Sequence, residues 1–215
     1  MISATRRQGV LVMALGALVT IASLGACGGG GDNSSSDPIT TGLTASFVPD
    51  SSPACASAAD GLSLRTITAT GALLTLGMRV TDCDQSLGIY GVTFDMSFDP
   101  AVVRCASSYP CTAGGLLPSS PSIFLTCQCD NNSGEILGVI TRQNPALNDG
   151  VGVSGQDDIV LITMQALVTG SGRIDFTNGG SANGSALMTL PTNTAGEIPV
   201  AIPGLVYVGG SLVAQ

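Results

Sequence analysis

From Tyr90 to Pro100 the chain alternates without a fault. Tyr90, Val92, Phe94, Met96 and Phe98 are apolar, whereas Gly91, Thr93, Asp95, Ser97 and Asp99 are small or polar. A period of two gives a β-strand one dry face and one wet face; a helix would scatter the same five apolar residues around its axis. Pro100 has no N–H for a ladder, so pairing should end there, and Asp99 can cap the turn that follows. The expectation is an all-β sandwich with this strand as its spine.

The flanking sequence follows the same rule. Leu43, Ala45 and Phe47 alternate with Thr44 and Ser46. Leu62, Leu64 and Ile67 suggest a second strand whose alternation slips at Arg65 and Thr66. Leu74, Leu76, Met78 and Val80 alternate cleanly with polar or small residues and predict a third. Leu87 and Ile89 are apolar at odd positions, so the face flips near Gly88 or Gly91, as a bulge would make it. Residues 104–121, rich in Cys, Ser, Gly and Pro, read as an excursion. Strands are expected at 123–127, 135–142, 173–177 and 205–213, with a turn at 130–134 and a loop at 143–156. The apolar run 159–168 reads as a central strand buried on both faces. Many short strands between turns, without helical periodicity, place the chain in the all-β class.

The first 41 residues have a different character. Arg6 and Arg7 precede an apolar run over 9–23, too short and glycine-rich for a comfortable membrane span. Leu24-Gly25-Ala26-Cys27 follows and resembles the bacterial lipobox, in which the cysteine is acylated and becomes the mature N-terminus. The competing reading is an ordinary secretory signal with an incidental Cys27. Residues 1–26 are thus expected to be a lipoprotein signal peptide, 27–41 (CGGGGDNSSSDPITT) a flexible tether, and 42–215 the folded domain. Several acyl chains anchor stably where one does not. Gly rather than Asp at position 28, by resemblance to enterobacterial sorting, favours the outer membrane of the cell envelope.

Charge and composition narrow the function. There is no Lys, His or Trp, and after the leader five arginines face fifteen acids, a net charge of −10. Nucleic acid is not expected as a partner, because phosphate binding needs Lys and Arg clusters that are absent. Without His there is no His-based triad and no imidazole metal ligand. No G-x-S-x-G occurs. Asp95 and Asp99 would stand about 13 Å apart on one strand, too far for a glycosidase pair. Asp130, Asp157 and Asp158 match no EF-hand spacing and read as turn residues. The chain is therefore expected to be a non-enzyme with no cofactor and no metal. A polysaccharide platform would need exposed aromatics, and only Tyr90, Tyr109 and Tyr207 among the tyrosines could serve.

Six cysteines follow Cys27: Cys55, Cys83, Cys105, Cys111, Cys127 and Cys129. Export places them where disulfides persist. Zinc is the competing reading, disfavoured by the Cys105–Cys111 gap. Cys127 and Cys129 project from one strand face, so a bridge between them would be strained. Each is expected to reach back to the excursion holding Cys105 and Cys111, which leaves Cys55 to pair with Cys83.

The stretch Phe94-Asp95-Met96-Ser97-Phe98-Asp99-Pro100-Ala101-Val102-Val103 resembles the F-x-L-x-Y-D-P-x-V-L strand of bacterial cohesin domains. The order of strands around it, from Leu62 to the closing Gly209-Gly210-Ser211-Leu212-Val213, fits as well. The resemblance implies a nine-stranded jelly-roll sandwich and a non-catalytic role: holding a small calcium-binding dockerin module on one sheet face. By position that face would be built from the spine, 123–129, 135–142 and 173–177, with Thr93, Asp95 and Ser97 as candidate binding residues. The expected function is a lipid-anchored envelope protein with a cohesin-like protein-binding domain. The alternative is a carbohydrate-binding or structural envelope lipoprotein.

Overall fold

The computed structural model describes residues 42–51, 60–83, 87–117, 123–143, 150–153, 156–180, 184–190 and 198–215. The leader, Cys27, the tether and Cys55 lie outside them. Every regular element described is a β-strand: β1 (Ala45–Pro49), β2 (Gly61–Thr70), β3 (Leu73–Thr81), β4 (Gly88–Ile89), β5 (Gly91–Phe98), β6 (Val103–Cys105), β7 (Cys111–Ala113), β8 (Ile123–Asp130), β9 (Glu135–Arg142), β10 (Val151–Gly152), β11 (Gln156–Ala166), β12 (Gly170–Phe176), β13 (Ala186–Thr189), β14 (Val200–Ala201), β15 (Val206–Val208) and β16 (Gly210–Ala214). The larger sheet runs β8-β9-β5-β12-β16-β1, and β13 with β14 continues beside β5 beyond the end of β12. The smaller sheet runs β15-β2-β3-β11, with β6 and β7 sharing the far edge of β11. β4 and β10 form a separate ribbon. Among the described residues sixteen segments stand where nine strands were expected: β12 and β13 share one edge of β5, β6 and β7 share one edge of β11, and β4, β10 and β14 are only two residues long.

The spine behaves as its alternation demands. Val92, Phe94, Met96 and Phe98 are buried. From the other sheet Leu74, Leu76, Met78 and Val80 of β3 and Ile162 and Met164 of β11 complete the core. Each such side chain contributes about 1.5–3 kcal/mol by leaving water. Phe94 lies opposite Gly138 of β9, where an added Cβ would stand 2.1 Å from the Phe94 ring. The glycine is the hollow that receives the ring. Pairing stops at Phe98, and Asp99 Oδ1 accepts the Ala101 N–H at 3.0 Å.

Three expectations are corrected. The run from 159 is buried on both faces only at its start, where Ile159 and Val160 are both inaccessible. In β11 Ile162, Met164 and Ala166 are buried, whereas Leu161, Thr163 and Gln165 are half-exposed. The excursion 104–121 is partly regular, since β6 and β7 pair with β11. The stretch 205–213 is two strands in different sheets: β15 runs parallel to β2, and β16 pairs with β1 and β12. The crossing is at Gly209, where a Cβ would meet Ile174 O and the Asp175 carboxylate, each at 2.4 Å. The slip anticipated in the second strand is a bulge between Thr66 and Thr68.

Two disulfides join the sheets along one side. Cys105 is bridged to Cys129 and Cys111 to Cys127, over separations of 24 and 16 residues. Cys127 and Cys129 thus both reach back from β8 to β6 and β7. Closing loops of this length restricts the unfolded chain and stabilises by roughly 3 kcal/mol each. Cys83 is half-buried, and its N–H donates to Asp60 Oδ1 at 2.7 Å; its expected pairing with Cys55 falls outside the described residues.

Gly138→Ala is expected to destabilise the domain by about 1–3 kcal/mol through overpacking against Phe94. In urea denaturation the double variant Phe94→Leu/Gly138→Ala should lose less than the sum of the two single changes, since both act on one space. Strict additivity would refute the proposed contact.

Candidate binding face

The outer surface of the larger sheet follows from register. Asp95 stands opposite Leu137, Thr93 opposite Val139 and Ser97 opposite Glu135. On the next strand Gln128 faces Leu137, Thr126 faces Val139, Phe124 faces Thr141 and Asp130 faces Glu135. On the other side of β5, Asp175 faces Ser97 and Ala186 faces Thr93. The four strands assigned by position, β8, β9, β5 and β12, are therefore adjacent, and Thr93, Asp95 and Ser97 lie on their common outer face.

The three spine residues are not equally available. Ser97 is exposed, whereas Thr93 and Asp95 are half-buried. Thr93 Oγ1 is buried and has no hydrogen-bond partner among the described residues. Burial pushes the Asp95 carboxyl above its ordinary range, and the nearby Glu135 charge pushes it the same way. Neither acid has an ion-pair partner among the described residues. Apolar side chains share the face: Phe124 is 44% exposed and Leu137 53%, with Val139 half-buried beside them. Sequence reasoning singled out the polar spine and missed these neighbours. In 123–130 the signal was the polar parity of Thr126, Gln128 and Asp130, on which Phe124 falls; 135–142 is apolar at both parities, so the side of Leu137 is set by pairing with β5 and β8.

Asp95 also marks a gap in the sheet. β12 pairs with β5 at 96–98 and β13 at 91–93, so the backbone of Asp95 meets neither ladder. Ser185, fully buried, fills the place of a strand. Its Oγ accepts the Asp95 N–H at 3.1 Å and donates to Asp95 O at 2.8 Å; the Thr177 N–H donates to the same carbonyl at 2.7 Å. Further along, Arg173 joins Asp50 at 2.6 and 2.7 Å and also pairs with Asp175, which raises its own pKa and lowers that of Asp50.

The other tyrosine candidates separate clearly. Tyr90 is buried and Tyr207 is half-buried against Phe176, their ring centroids 5.9 Å apart. Tyr109 is 74% exposed, on the loop between β6 and β7. Asp130 shapes the turn after β8 by accepting the Asn132 N–H at 2.8 Å, and Asp158 pairs with Arg65. Among the described residues no group of three or more His, Cys, Asp or Glu is placed to hold a metal.

A carboxyl whose pKa is raised by folding destabilises the native state when ionised. The penalty is full above the folded pKa and vanishes below the unfolded one, near 3.8. Asp95→Asn should therefore raise the thermal midpoint at pH 7, and the gain should fade as pH drops through the Asp95 titration toward pH 3. Equal midpoints at pH 7 would contradict the raised pKa.

No protein-family model and no curated protein matches the sequence. Among solved structures, the chain is similar to a type II cohesin domain from the cellulosome of Acetivibrio cellulolyticus, with a TM-score of 0.51, 18% identity, and 72% of this chain and 94% of that one covered. It is similar also to the second type II cohesin module of the adaptor ScaA scaffoldin of Acetivibrio cellulolyticus. One structure of that module, including a long C-terminal linker, gives a TM-score of 0.52 at 11% identity, covering 79% of this chain and 88% of that one. Another gives 0.52 at 13%, covering 68% and 91%. At such identities the likeness speaks to architecture, and the domain has the jelly-roll sandwich fold of cohesin modules.

Proposed function

We propose that the domain is a non-catalytic protein-binding module, and that the outer face of β8, β9, β5 and β12 receives a dockerin-type partner. The observation that supports this most is the mixed character of that face. Exposed Phe124 and Leu137 border Thr93, Asp95, Ser97 and Glu135, whose carboxylates have no cation beside them among the described residues. Protein interfaces combine an apolar centre with polar groups that fix register. A partner that suits the face presents apolar side chains to Phe124, Leu137 and Val139 and a cation to Asp95 and Glu135. The cohesin fold and the Phe94–Val103 resemblance point to the same class of partner.

In this reading the chain is an envelope lipoprotein. Cys27 carries the acyl anchor, residues 1–26 are removed, and the tether 27–41 lets the module stand off the membrane. Mass spectrometry of the mature N-terminus should find a diacylated or triacylated Cys27 and no leader; an unmodified Cys27 refutes the anchor.

The binding reading is tested with recombinant dockerin modules and a native envelope extract passed over the immobilised protein. Calcium-dependent capture of a dockerin-bearing partner is expected. Leu137→Glu, and separately the Thr93→Ala/Asp95→Ala/Ser97→Ala variant, should weaken capture at least tenfold while the fold is retained. Undiminished capture by both variants would make these residues a plain solvated surface. Retention on insoluble polysaccharide in place of dockerin capture would favour carbohydrate binding.

A further inference from the structure

Among the described residues β8 is the outermost strand of the candidate face and pairs with β9 alone. An edge strand is held by its ladder and by the side chains it drives into the core. The inward positions of β8 are Ile123, Leu125, Cys127 and Cys129, and only the two cysteines are buried. Ile123 and Leu125 pack against the core while still half-exposed, so the buried attachments of β8 are the two half-cystines. Their partners stand on β6 and β7, which are edge segments of the opposite sheet. Hydrogen bonds span the same side: the Cys129 N–H donates to Ser108 O at 3.1 Å, Asn131 Oδ1 accepts the Cys105 N–H at 2.8 Å, and Asn131 Nδ2 donates to Cys105 O at 3.4 Å. Their donors and acceptors are main chain and amide, which water can replace once the strand lifts.

We propose that the two bridges are a maturation lock on the candidate face. β8, with Phe124, Thr126 and Gln128, takes its place only in the oxidised protein, so the face is complete only after Cys105–Cys129 and Cys111–Cys127 have formed. The functional meaning of the lock rests on the reading of this face as a protein-binding surface. Opening proceeds by thiol–disulfide exchange with a dithiol. Each bridge takes two electrons and two protons and becomes two cysteine thiols, while the dithiol becomes its own disulfide; an oxidised dithiol reverses the step. The bridges differ in access. Cys111 is half-buried, whereas Cys105 and Cys129 are 2% and 9% exposed, so exchange enters at Cys111–Cys127 and reaches Cys105–Cys129 second. A chain still in a reducing compartment would then carry a folded spine and an unfinished face, and would not capture its partner before export.

Hydrogen exchange on the exported protein, with and without dithiothreitol under native conditions, tests the lock. Alkylation of Cys105, Cys111, Cys127 and Cys129 verifies that the bridges have opened. Amides of 123–130 should then exchange at least tenfold faster, while those of 92–96 and 160–164 keep their protection. The paired variant Cys111→Ser/Cys127→Ser should give a partial version of the same change without reductant. Unchanged exchange in 123–130 overturns the proposal, and so does loss of protection in all three segments together. Exchange is read without any partner, so this outcome is separate from the success or failure of dockerin capture.

Discussion

Phe94 seated in the hollow over Gly138 decides how the larger sheet must be assembled. The ring can be buried only if β9 offers no side chain at that point, and this sets the register of β9 on β5 within one residue. A slip by one would turn Phe94 toward a neighbour with a Cβ and move Ile136 and Ile140 from the core to water. The register of β8 follows through β9, and the positions of Phe124, Leu137, Thr93, Asp95 and Ser97 on one outer surface follow from both. The candidate face is thus a consequence of core packing on the opposite side of the same three strands.

What could be read in advance was whatever obeyed a local period. The spine and β3 were visible because their alternation is unbroken, β9 because its residues are apolar and β-branched, and the slip in β2 because its alternation breaks at Arg65 and Thr66. The split of 205–213 was not legible. Its apolar content continues across Gly209, and only the close approach of Ile174 and Asp175 shows why the chain must change sheets there. β13 escaped notice because Ala186–Thr189 is short and gains its identity from pairing with β5. The role of Ser185 was likewise hidden, since a serine that replaces a strand carries no pattern of its own. The half-burial of Thr93 and Asp95 has the same origin: the strands that crowd them are distant in sequence.

The two outer surfaces of the sandwich hold charge differently, and the contrast bears on the proposed binding face. On the smaller sheet two arginines find side-chain acceptors within the domain, one charged and one neutral. Arg65 of β2 reaches across β3 to Asp158 of β11, with Nε 2.8 Å from Oδ1, and the carboxylate lies over Gly77, where a Cβ would be only 2.6 Å from it. Arg104 holds Gln165 at 3.0 and 3.1 Å. The glycine clears the space in which the Arg65–Asp158 pair closes. On the larger sheet Asp95 lies diagonal to Glu135, and Glu135 lies directly opposite Asp130, an arrangement of like charges that weakens strand pairing. Arg173 is already committed to Asp50 and Asp175. Selection for stability alone would relieve this repulsion and would also cover Phe124 and Leu137. Local rules broken without compensation inside the molecule are expected where another molecule supplies the compensation. The unmatched carboxylates beside exposed Phe124 and Leu137 are the physical ground on which the proposed binding reading of this face rests.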